Sequence, residues 1–113
     1  MPHRKQIIEK CILLSMEAQK NYFNDVFWSP VEINNQFNYE KINVCIGIKK
    51  EILEDAELFS DIEEQIYENL IFFEKITEFK FSISFREDTR MCNINHCKNN
   101  NECLKNLIYK GEN

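Results

Sequence analysis

The sequence contains little glycine and proline, with two of each in 113 residues. Phosphate-binding loops need several closely spaced glycines, so a nucleotide site of that type is excluded. The scarcity of both residues favours regular helices and strands joined by turns of Asn, Ser and Asp. No apolar run is long enough to span a bilayer or to form the centre of an export signal. We therefore expect a cytoplasmic protein without a membrane partner.

The chain also lacks a recognisable catalytic motif. Its five cysteines are odd in number, which fits free thiols in a reducing compartment better than a disulfide framework. A Cys–His catalyst would have to use His3 or His96, and neither lies in a motif that brings a thiol and a carboxylate to it. Carboxylates on an exposed helix face are usually solvated and do no acid–base chemistry. The sequence predicts no enzyme and no bound cofactor.

Length and overall charge limit the remaining classes of protein. A chain of 113 residues, 43% hydrophobic and 29% charged, has enough apolar material for one core, and we expect residues 1–113 to form a single domain. The net charge of −5 repels phosphates, which argues against direct binding of nucleic acid. A soluble protein that binds another protein remains.

One acidic segment carries all of the excess negative charge. Residues 51–78 contain ten acids and one base, a net charge of −9, while each flanking segment has a net charge of +2. Apolar residues recur every three or four positions in this segment, which predicts an amphipathic helix with one face on a core and carboxylates on the other. They are Ile52, Ala56, Phe59, Ile62, Ile66, Leu70 and Phe73. The spacing of Ser60 and Glu63 is that of a capping box, which indicates a helix restart at Ser60 after a shorter piece at 50–58.

Two alternating segments flank the acidic helix and predict a small sheet. Apolar residues alternate with polar ones over 42–48 and again over 79–85, the pattern of half-buried strands. A strand, a helix and a strand in succession allow a crossover that makes the two strands parallel. Residues 4–23 have the apolar stripe of a long helix, which we expect to cover the same sheet face.

The other segments give weaker patterns. Residues 26–30 read as a bulky connector that ends in Pro30, and 31–39 as a weak hairpin or edge strand around Asn34 and Asn35. Residues 87–101 resemble a loop, and 102–109 a short C-terminal helix that stops before Gly111. The expected fold is α+β in two layers: a long N-terminal helix and the acidic middle helix packed on a small β-sheet, with a short C-terminal helix.

A cluster of metal-ligating residue types lies near the C-terminus. Thiolates and imidazole are the ligands that zinc prefers, and four of them can close a tetrahedral site. The cluster is formed by Cys92, His96, Cys97 and Cys103. Its spacing differs from the paired Cys turns of zinc knuckles, and adjacent His96 and Cys97 would point apart. Free thiols are therefore the first interpretation, and a zinc-binding regulatory protein is the alternative function.

The acidic helix provides the leading functional hypothesis. A concentrated array of carboxylates attracts a basic protein, speeds its encounter and competes with the phosphates that this partner binds. We predict an immunity or inhibitor protein that neutralises a nuclease-type toxin. The alternative is that the same face only keeps the protein soluble. The predicted contact residues are Glu51, Glu54, Asp55, Glu57, Asp61, Glu64 and Glu68.

Overall fold

The computed structural model describes residues 2–87 and 107–110. Across these ranges a layer of helices covers a mixed four-stranded sheet, which confirms the predicted α+β class. The elements in chain order are α1 (Pro2–Met16), a 3₁₀ segment (Glu17–Tyr22), β1 (Phe23–Ile33), β2 (Gln36–Ile48), α2 (Lys50–Leu53), α3 (Ala56–Ile76), β3 (Lys80–Arg86) and β4 (Leu107–Lys110).

The sheet has the strand order β3-β2-β1-β4. β1 is antiparallel to both of its neighbours, β2 and β4. β2 and β3 are parallel, with Lys41–Gly47 alongside Lys80–Arg86. The predicted parallel pairing of the strands on either side of the acidic helix is thus confirmed, and α3 is the connection that returns the chain to the start of the next strand.

A tight turn joins β1 and β2. Asn34 and Asn35 have φ values of 54° and 65°, a left-handed conformation that asparagine tolerates better than most residues. Two such residues in succession give the turn twist that matches paired strands, and Ile33 lies directly opposite Gln36. The hairpin predicted around these asparagines is therefore present, and it is much longer than expected.

β1 begins at Phe23, so the predicted connector at 26–30 is wrong. Val26 and Trp28 belong to the core beneath the helices, while the alternate residues Asp25 and Phe27 are buried as well. A strand that is buried on both faces loses the alternation of apolar and polar residues by which strands are recognised.

The core lies between the sheet and the helices α1 and α3. Both helices contribute residues at three- and four-residue spacing, and β2 contributes every second residue, as their patterns predicted. The most buried members are Ile8 and Ile12 of α1, Phe23 and Val26 of β1, Ile42, Val44, Ile46 and Ile48 of β2, and Ile66 and Leu70 of α3. In β3, Phe81 is buried and Lys80 is exposed, so the predicted faces of that strand are correct.

Three predicted boundaries require correction. α1 ends at Met16 and continues as a 3₁₀ segment, whereas the apolar stripe suggested a helix to residue 23. α3 begins at Ala56, because the Asp55 side chain accepts a hydrogen bond from the Leu58 N–H at 3.1 Å; Ser60 lies inside the helix and does not start it. Leu107–Lys110 form strand β4 where the end of a helix was predicted. The rest of that predicted helix, 102–106, and the predicted loop from 88 lie outside the described residues.

α1 and α3 lie side by side and run in opposite directions. Near the C-terminus of α1, the Ser15 carbonyl accepts a hydrogen bond from the Asn69 side-chain amide at 3.0 Å. At the other end, Arg4 and Glu78 approach to 3.7 Å, and the Arg4 guanidinium lies 5.3 Å from the centre of the Phe79 ring. No helix in the described ranges has both the length and the apolar character needed to cross a membrane.

Candidate protein-binding surface

All seven predicted contact acids are exposed, and they occupy α2, α3 and the two residues between these helices. This exposure follows from the helical period, because Ile62, Ile66 and Leu70 turn toward the sheet and the residues between them face solvent. The structure separates the seven acids into those that stabilise the local backbone and those that only face solvent.

Two of the seven acids have structural partners. Asp55 caps α3 by accepting the hydrogen bond from the Leu58 N–H, which satisfies one of the free amides at the start of the helix. Glu54 lies 4.0 Å from the ammonium group of Lys50, an exposed pair that contributes little to stability. These two carboxylates are consequently less suited to receive a partner than the acids of α3.

Four of the remaining acids form a line along α3, which we call the acidic stripe: Glu57, Asp61, Glu64 and Glu68. The last three follow Glu57 by four, seven and eleven residues, so all four share one side of the helix. Within the described residues no Lys or Arg pairs with any of them. The single base of α3, Lys75, lies on the same side of the helix but two turns beyond Glu68. The stripe therefore presents four uncompensated carboxylates to solvent.

Two acids outside the stripe hold elements of the fold together. Glu9 of α1 accepts a hydrogen bond from the indole N–H of Trp28 at 2.8 Å, which ties the helix to β1. Glu74 accepts one from the Phe81 N–H at 2.6 Å, which fixes the end of α3 against β3. Such hydrogen bonds to a charged acceptor stabilise more than bonds between neutral groups. The sequence did not reveal these roles, because the partners lie on other elements.

A second surface feature was also missed by sequence reasoning. Four large apolar side chains are exposed where α1 and α3 meet, and we call them the seam patch: Ile7, Leu14, Phe72 and Ile76. Phe72 and Ile76 are 58% and 63% exposed, far more than core residues of the same helix. Ile7 and Leu14 lie beside the buried residues of α1, and the structure shows that they remain open to solvent.

Residue spacing along the two helices places the four side chains of the seam patch beside the contact between them. Asn69 marks the edge of α3 that faces α1, and Phe72 and Ile76 follow it by three and seven residues, on the same edge. On α1, Arg4 marks the edge facing α3, and Ile7 and Leu14 follow it by three and ten residues. Both pairs therefore border one seam from opposite sides.

The four predicted metal ligands lie outside the described residues: Cys92, His96, Cys97 and Cys103. Among the residues that are described, no three His, Cys, Asp or Glu side chains are grouped as metal ligands. Cys11 and Cys45 are both buried, and the Cys45 sulfur accepts a hydrogen bond from the Asn43 side-chain amide at 3.3 Å. Burial raises the pKa of the Cys11 thiol, partly offset by a backbone hydrogen bond that lowers it, so the group stays protonated and unreactive near neutral pH.

The surface thus combines a line of carboxylates with an adjoining apolar area, an arrangement suited to recognising another molecule through charge and contact. Comparison with known proteins adds no relative from which a function could be transferred. No protein-family model matches the chain, and neither a curated protein nor a solved structure matches it.

Proposed function

We propose that this protein binds and neutralises a basic protein, and that it acts in the cytoplasm as an immunity protein against a nuclease-type toxin. The observation that carries the proposal is the acidic stripe, whose four carboxylates share one face of α3 and have no cation partner among the described residues. Clustered acids without a cation partner in their own protein attract cations of another molecule.

A nuclease is a fitting partner for such a surface. Enzymes that act on nucleic acids hold phosphates with Lys and Arg, and a line of carboxylates offers negative charge to the same side chains. Acids three or four residues apart on a helix have their Cβ atoms about 5–6 Å from each other. Adjacent cations of one binding site can therefore engage neighbouring carboxylates. Binding there would block access of the nucleic acid and so inhibit the enzyme.

Charge reversal on the stripe tests this function. Asp61, Glu64 and Glu68 are exposed and lie off the buried face of α3, so their replacement by Lys should leave the fold intact. We expect the dissociation constant for a nuclease captured from the host at low salt to rise about a hundredfold or more, because each close charge pair is replaced by repulsion. Inhibition of that nuclease should be lost in parallel.

A matched control changes the net charge equally at another place. Glu32, Glu40 and Glu87 are exposed and lie on or beside the strands, away from α3. Glu9 is unsuitable for this purpose, because its carboxylate holds Trp28. If replacement of the three control acids by Lys weakens binding as much as replacement of the stripe, α3 provides only a solubilising charge and the proposal fails.

A further inference from the structure

We propose that the acidic stripe and the seam patch form one docking surface, whose occupant is a basic segment carrying apolar side chains among its Lys and Arg residues. This inference rests on the proposed function and specifies the kind of partner that the site accepts. It assigns the two parts different roles, with charge guiding the encounter and apolar contact holding the complex.

The two parts are continuous on one side of α3. Phe72 follows Glu68 by four residues, the same step that separates Glu57 from Asp61, so the line of carboxylates leads directly into the exposed ring. Ile76 continues the line by another four residues, and Ile7 and Leu14 widen it across the seam. A partner that lies along the stripe would therefore also cover the patch.

The composition of this surface matches that of protein interfaces. Such interfaces have an apolar centre that excludes water and a polar rim, they are enriched in aromatic residues, and a few residues near the centre supply most of the affinity. The seam patch offers an aromatic ring and three aliphatic side chains, and the stripe supplies the charged rim on one side. Four carboxylates beside the patch favour cations next to the apolar side chains of the occupant.

Two synthetic peptides of equal length and equal positive charge provide the probe. Both carry Lys and Arg at helical spacing; one has Leu and Phe between them, and the other has Gln at those positions. Titration calorimetry with the full chain at low salt should show that the apolar basic peptide binds about tenfold or more tightly than the Gln peptide. Equal affinities would overturn the inference.

Substitutions in the patch locate the difference. Replacing Phe72 and Ile76 by Ser should bring the apolar peptide to the affinity of the Gln peptide and leave the Gln peptide unchanged. Replacing Ile7 and Leu14 by Ser tests the part of the patch on α1 and should also weaken binding of the apolar peptide. The control is the pair Ile33 and Tyr67, which are 43% and 51% exposed and lie outside the patch. If their replacement by Ser weakens the apolar peptide equally, the contact is unspecific and the inference is wrong.

Two further outcomes separate this inference from the function on which it rests. If reversal of Asp61, Glu64 and Glu68 leaves the binding of both peptides unchanged, the stripe is no binding site and the proposed function fails with the inference. If the peptides bind equally but lose affinity on that reversal, only the seam patch is excluded.

Sedimentation of the wild-type protein must show a monomer. A dimer that Phe72→Ser dissociates would make a second copy of this chain the occupant and overturn the inference.

Discussion

Lys80 and Phe81 are neighbours in β3 whose side chains lie on opposite faces of the sheet. Phe81 is buried in the core beneath the helices, and Lys80 is exposed. Replacing Phe81 by Ala should lower the free energy of unfolding by roughly 3–5 kcal/mol, because a large cavity remains where the ring was. Replacing Lys80 by Ala should change it little. Denaturant titration checks both values, and equal effects would contradict the assignment of faces.

The acids of residues 51–78 look alike in the sequence, yet the structure gives them different roles. Asp55 accepts a backbone hydrogen bond, Glu74 accepts another, and the acids of the stripe accept none from the described residues. The sequence could predict that these carboxylates are exposed, because exposure follows from the helical period. It could not predict which of them are used locally, because a hydrogen bond depends on distances that the pattern does not contain.

At the scale of the helix, the start of α3 depends on its cap. Replacing Asp55 by Ala should destabilise the protein by about 1 kcal/mol, because the Leu58 N–H loses its acceptor. Asp55→Ser should retain most of the stability, and Glu64→Ala, which removes an exposed acid from the middle of α3, should have little effect. Thermal or denaturant unfolding measures the three variants. If Asp55→Ala and Glu64→Ala cost the same, the cap does not set the start of α3.

Elements with one buried and one exposed face were predictable from the sequence, and the other elements were not. β2 and α3 each have one buried and one exposed face, so alternation and helical spacing identified both. β1 is buried on both faces between Asp25 and Trp28, and its sequence resembled a connector. β4 contains four residues, too few for any period, and its strand conformation depends on pairing with β1, a long way back in the chain.

The seam patch could not be predicted from the sequence for a similar reason. Ile7 and Leu14 are apolar residues beside the buried stripe of α1, and a wide stripe normally indicates a wide buried face. Whether such residues are covered depends on how far the next helix extends over them. α3 contacts α1 at Ser15, the chain just after α3 contacts it at Arg4, and Ile7 and Leu14 remain exposed.

At the scale of the whole molecule, charge is distributed unevenly, with −9 in residues 51–78 and +2 in each flanking segment. If this distribution guides a basic partner, its association rate should fall steeply as salt rises, because the screening length shrinks from about 10 Å at 0.1 M to about 3 Å at 1 M. The dissociation rate should change much less. Stopped-flow or surface-binding kinetics over this range measures both rates. A salt effect confined to dissociation would contradict guidance by the acidic stripe.

The position of the β1–β2 hairpin in the middle of the sheet has a consequence for how the protein folds. Its two strands are joined by two residues, so the central pairing closes a very short loop, whereas β3 and β4 must be brought in from farther along the chain. We expect the hairpin to be formed in the folding transition state and β4 to join after the rate-limiting step. Substitutions at Asn34 and Asn35 should then slow folding, whereas substitutions in β4 should mainly accelerate unfolding.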